Sequence, residues 1–284
     1  MAIFSNQATL TYRGNVTNSN IAYGEILDVI VTDKTSIEGV YTPGEIVTYV
    51  LTLRNTGNAA LVGLVVTDDL GGYNFGATTL YPLTYVDGSV TLFVNGVLQP
   101  TPAVVGGPPL VISGINIPAM GDAVLVYQAR ANEFANPNLG GVIINTATVT
   151  GDGLNTPSVA TEEVEVTEAP NLTVSKCINP SQVVDNDRVT YTLLIQNLGN
   201  QAVVATDNAS ISDVFDPVIS ALAVTFDGVA WTQGIEYTYD GVTGLFTTVP
   251  GMITVPAATF VQDPVTGVYS YTPGVATLVI TGTI

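Results

Sequence analysis

Residues 32–58, TDKTSIEGVYTPGEIVTYVLTLRNTGN, align without a gap onto residues 174–200, VSKCINPSQVVDNDRVTYTLLIQNLGN. A chain that repeats itself at this spacing must build two similar units, each with its own core. Lys34 falls on Lys176, Tyr49 on Tyr191 and Asn55 on Asn197. Further on, LVVTDDL places Asp68 on Asp213 of SISDVF, after a three-residue insertion in the second copy. Each copy then reaches a Pro-led strand, PAMGDAVLVYQAR at 118–130 and TPGVATLVITGTI at 272–284.

The repeat unit is read as β structure, because period-two alternation rich in Val, Thr, Ile and Tyr recurs while helical periodicity is absent. EIVTYVLTLRN, residues 45–55, puts Val47, Tyr49, Leu51 and Leu53 on the face expected to be buried. Turn sequences VDGSV (86–90), FVNGV (93–97), FDGV (226–229) and YDGVTG (239–244) punctuate the chain at hairpin spacing. The expected fold class is all-β: two tandem Ig-like β-sandwiches, the second without its last strand. The expected boundaries are 1–25 for an arm and connector, 26–168 for module one and 169–284 for module two.

Module one continues through GVIINTATVTGDG at 141–153, whereas the second copy stops at Ile284. The missing sequence stands at the head of the chain instead. IFSNQATLTYRG matches VIINTATVTGDG, with Asn6 on Asn145, Ala8 on Ala147 and Thr9 on Thr148. Phe4, Asn6, Ala8, Leu10 and Tyr12 alternate with polar residues, as in a strand with one buried face. An incomplete sandwich offers an unpaired edge and an apolar groove. The expectation is that residues 3–12 of one subunit fill module two of the next, a heterologous contact that propagates as a filament.

Composition narrows the function. Six Lys+Arg against 24 Asp+Glu leave a formal charge of −18, which repels nucleic acid and anionic lipid. With no His and the single Cys177, catalytic triads, zinc sites and intrachain disulfides lack their parts. No enzyme, cofactor or metal is therefore expected. The first residues show neither a basic n-region nor an apolar h-region, and no apolar run approaches the ~18 residues of a membrane span. Met1 is expected to be the native start.

The strand-one Lys, the PGEIVTYVLTLRNTGN segment, VTDDL and NTATVT together resemble the bacterial conserved repeat domain, domain-of-unknown-function eleven. That resemblance implies an Ig-like sandwich with an extracellular structural role on a cell or spore surface. The only two lysines occupy the same repeat position. Lys34, Asp68 and Asn145 in module one, and Lys176, Asp213 and Asn6 of the next subunit, are expected to share inward faces. Lys, acid and Asn so placed resemble the isopeptide sites of Cna B-type pilin and adhesin domains. Burial favours a neutral amine and a protonated acid, so that the amine attacks the Asn carboxamide. A buried ion pair capped by the Asn, or a snorkelling Lys, remains the alternative, and Asp69 is a second candidate acid.

Weaker signals receive plainer readings. Asp185-Asn186-Asp187 and Gly151-Asp152-Gly153 are read as turns before calcium sites, and the sequons at Asn15, Asn171 and Asn208 are assigned nothing. Cys177 is read as a packing residue. Trp231 and the 13 tyrosines are read as cross-strand pairs before a glycan site. The leading expectation is a fibre subunit whose partners are identical subunits. The second is an Ig-like adhesin that binds a host or surface ligand while its arm folds back.

Overall fold

The alternation in residues 45–55 becomes strand geometry directly: Val47, Tyr49, Leu51 and Leu53 are all buried, and the residues between them face outward. In the computed structural model, residues 2–26 and 28–284 are described. The expectation about Met1 lies outside them. Apart from a 3-10 turn at Ala205–Asp207, the regular elements are strands. The chain divides into two compact units, Met1–Asn136 with Val142–Glu165, and Pro137–Gly141 with Val166–Ile284.

The principal strands are labelled in chain order. The arm holds β1 (Ala2–Asn6), β2 (Thr9–Tyr12), β3 (Asn15–Asn18) and β4 (Ala22–Ile26). Module one holds β5 (Ile30–Ser36), β6 (Ile46–Asn55), β7 (Leu61–Asp68), β8 (Leu110–Ile117), β9 (Asp122–Ala131), β10 (Val142–Thr150) and β11 (Ser158–Val166). Module two holds β12 (Leu172–Asn179), β13 (Arg188–Asn197), β14 (Ser212–Val214), β15 (Ser220–Phe226), β16 (Tyr237–Tyr239), β17 (Leu245–Thr248) and β18 (Gly274–Thr283).

Module one is an Ig-like sandwich. One sheet runs β5-β6-β9 and continues into Thr91–Val94, while the other runs β8-β7-β10-β11. Leu51, Leu53, Leu64, Ile112, Leu125 and Val149 fill the space between them. FVNGV and FDGV form two-residue hairpins, with positive φ at Asn95, Gly96, Asp227 and Gly228, whereas YDGVTG makes a longer loop between β16 and β17 and VDGSV links two strands that both pair with β9 instead of with each other.

Module two repeats the first sheet as β12-β13-β18-β15 and keeps its own core around Leu193, Phe215, Phe246 and Leu278. Its second sheet is shorter, running β14-β17-β16. In module one β7 pairs with β8 on one side and β10 on the other, whereas its counterpart β14 pairs with β17 alone among the described residues.

The arm departs from the expected single strand. β1 pairs with β4 and β2 with β3, so residues 2–26 form one long hairpin, turned at Arg13 and Gly14 with φ of 46° and 83°. The stretch read as a connector is the return strand of that hairpin. Phe4, Leu10 and Tyr12 are exposed instead of lying in a core.

Candidate functional site

In module one Lys34 projects from β5 toward β7, and its Nζ donates to Asp68 Oδ2 at 2.7 Å. Both side chains are fully buried. Asp68 Oδ1 accepts from the Leu70 N–H at 2.9 Å, and the Tyr127 hydroxyl donates to Oδ2. The Tyr49 ring lies under the amine at 4.9 Å and stacks on Tyr127. Burial lowers the Lys34 pKa below its ordinary value, with Asp68 opposing the fall. Burial and the nearby Asp68 charge raise both tyrosines, Tyr127 well above its ordinary value.

Asn145 completes the group. Ala147 on β10 stands opposite Asp68 on β7, so Asn145, two residues along, is on the same inward face. Its side chain is fully buried, yet neither Oδ1 nor Nδ2 has a hydrogen-bond partner. The carboxamide lies against the Tyr49 and Tyr127 hydroxyls and opposes the rise of their pKa, but forms no hydrogen bond of ordinary geometry with them. Lys34 and Asp68 thus form a buried pair that no hydrogen bond from Asn145 caps. Leaving a buried amide unpaired costs about 1–3 kcal/mol. Asp69, the second candidate acid, instead accepts from the Gly71 and Thr146 N–H groups.

Module two reproduces half of this arrangement. Lys176 Nζ donates to Asp213 Oδ2, with the rings of Tyr191 and Phe215 at 4.6 and 5.1 Å from the amine. The lysine and aspartate side chains are 36% and 19% exposed, against zero for both in module one. Asn6 stands opposite Ala22 in the arm hairpin. The register of β9 and β18 puts Ile280 where module one has Tyr127.

Two contributors lie outside what the repeat alignment shows. Tyr127 is invisible to it because its counterpart is not Tyr. The return strand β3–β4 was signalled only by the Arg13-Gly14 turn and the spaced Val16, Ile21 and Tyr23.

Asp187 accepts from the Val184 N–H in a turn with Asn186 at positive φ, and the Leu154 N–H donates to the Gly151 carbonyl. Among the described residues no His, Cys, Asp or Glu cluster has a metal-binding arrangement. Cys177 is exposed, which corrects its reading as a packing residue: it lies on the face of β12 opposite Lys176, where its module-one counterpart Thr35 is exposed as well. Trp231 stacks on Phe226 at 5.0 Å. No described helix is long and apolar enough to cross a membrane.

No protein-family model matches the chain, and neither does any curated protein sequence. Solved structures similar in fold include pilin and adhesin domains of Gram-positive bacteria. The major pilin subunit BcpA of Bacillus cereus is 10% identical over 87% of this chain and 64% of its own, with a TM-score of 0.39. The major pilin GBS80 C-terminal fragment of Streptococcus agalactiae is 14% identical over 87% of this chain and 91% of its own, at 0.36. The collagen adhesin of Staphylococcus aureus is 11% identical over 55% of each chain, at 0.31.

Proposed function

We propose that the chain is a non-enzymatic structural subunit of a cell-surface or spore-surface fibre, built head to tail as its arm completes module two of a neighbouring copy. The observation that carries this reading is a mismatch within one molecule. The arm matches β10 in sequence but stands exposed, while β14, the counterpart of β7, has no partner among the described residues on the edge where β10 would pair. Burying Phe4, Leu10 and Tyr12 stabilises the junction by about 1.5–3 kcal/mol each, and a backbone ladder adds to it. The resemblance to the conserved repeat domain supports the same surface role.

Deleting the arm tests this. The shortened chain should stay monomeric by light scattering and show no filaments in negative stain. Filaments that persist without the arm refute the donor role.

The Lys34 group supports a covalent extension. The Lys34 amine attacks the Asn145 carboxamide carbon, the new C–N bond forms, the carboxamide C–N bond breaks and ammonia leaves. Asp68 passes the amine proton to the departing nitrogen, so no oxidant is needed. Lys176, Asp213 and the neighbour's Asn6 would do the same between subunits. Intact mass lowered by one ammonia per bond checks it, and an unchanged mass rejects it.

A further inference from the structure

We propose that the donated segment is the whole two-stranded hairpin 2–26, and that its return strand β3–β4 covers the inward face of β12 in a second copy of this chain. The inference rests on the donor reading above and specifies its partner surface.

Module one shows what closing this side of the sandwich takes. β10 does not close it alone, because β11 lies beside it and reaches across to β5. Thr32 Oγ1 donates to Ser158 Oγ at 2.7 Å, and the Ser36 N–H and Oγ donate to Glu162 Oε1 at 2.9 and 2.6 Å. The inward Val164 on β11 is buried as deeply as Ala147 on β10.

The arm hairpin follows the β10–β11 register. Asn6 stands opposite Ala22 as Asn145 stands opposite Glu162, and Thr9 opposite Asn18 as Thr148 opposite Val159. The return strand carries one extra residue between Asn18 and Ala22. It is absorbed as a bulge in which Gln7 Nε2 donates to the Ser19 carbonyl and Ser19 Oγ accepts from the Ala8 N–H.

The acceptor has changed to match. Leu172, Val174 and Ile178 share the inward face of β12 with Lys176 and are 40, 60 and 41% exposed. Val174 and Ile178 occupy the places of Thr32 and Ser36, the two residues that bond to β11. On the hairpin, Thr17 and Ala22 occupy the places of Ser158 and Glu162. Where module one joins Ser36 to a carboxylate, the proposed junction sets Ile178 against Ala22, so both halves of a polar bridge are replaced by apolar groups together. A second exchange lies within the hairpin. Phe4 opposite Gly24 replaces Ile143 opposite Val164, and a Cβ at Gly24 would collide with the Phe4 ring. A single donated strand would leave Val174 and Ile178 in water.

Disulfide trapping in the full chain tests this, in a Cys177→Ser background. Thr9→Cys with Ser212→Cys reports β2 lying along β14, since these match the Thr148 and Thr67 pair. Thr17→Cys with Val174→Cys reports the return strand on β12. Both pairs should give ladders of disulfide-linked oligomers on non-reducing gels. A ladder from the first pair alone, with filaments present, overturns the hairpin while leaving the donor reading intact. No ladder and no filaments overturn both. A disulfide confined to monomers places the hairpin on its own chain and overturns the neighbour as occupant.

A charge swap reads the same contact without cysteines. Ala22→Glu should raise the concentration needed for polymerisation by at least about tenfold, by burying an unpaired carboxylate. Adding Ile178→Ser should restore it. Polymerisation indifferent to Ala22→Glu contradicts the proposal.

Discussion

Lys34 and Lys176 hold the same place in two copies of one fold, each paired with an aspartate and set over a tyrosine ring, yet one is sealed and the other is open to water. The difference is the hairpin β10–β11, which covers the first and has no described counterpart over the second. Module one therefore shows the sandwich with this side covered, and module two shows it without that cover among the described residues. The same pair of charges changes character with its cover: buried, it is a strong local constraint, and exposed, it is an ordinary surface ion pair.

The largest contrast should come from removing each lysine in the unassembled chain. Lys34→Ala strands Asp68 in the core and should cost module one about 3–5 kcal/mol in denaturant unfolding. Lys176→Ala should cost module two only about 0.2–1 kcal/mol. Equal losses would erase the distinction drawn between the modules.

A smaller effect sharpens the first-module site. Tyr127→Phe removes a hydrogen bond to a charged acceptor and should cost about 1.5–3 kcal/mol by the same measurement. Module two, with Ile280 at that position, has no equivalent bond to lose. An unchanged unfolding midpoint would mean that Asp68 does not depend on the tyrosine.

The pH response is expected to be smaller and distinguishes the covalent from the ionic state. Lys34 has a folded pKa below its ordinary 10.5, so between those two values the unfolded chain binds more protons and module one gains stability as pH rises. The tyrosines act in the opposite sense. Their folded pKa values lie above the ordinary 10.0, so stability falls once the unfolded tyrosines ionise. Asn145→Ala, which cannot form the bond, should show the rise followed by the fall. The intact chain, with its amine converted to an amide, should lack the rise. The same rise in both chains would indicate a free Lys34 amine in the intact protein.

Much of this was legible before any coordinates. The 45–55 strand, its buried face, the hairpins at Asn95-Gly96 and Asp227-Gly228 and the pairing of each lysine with its aspartate follow from alternation, turn residues and repeat alignment. The hidden parts have physical reasons. β3–β4 shares few residue identities with β11, because junction residues such as Ala22 and Glu162 differ in chemistry while keeping their register. Tyr127 escaped because a comparison of repeats finds only what the copies share. The exposure of Lys176 is a property of missing cover, which its own strand cannot encode.

Amine labelling of the two lysines, read by mass spectrometry of digested protein, tests the central claim most directly. The account predicts that Lys34 resists acetylation throughout, while Lys176 is labelled in the arm-deleted chain and protected in the assembled full chain. Lys176 labelled equally in both would show that the arm never covers module two, and the comparison between the modules would lose its meaning for assembly.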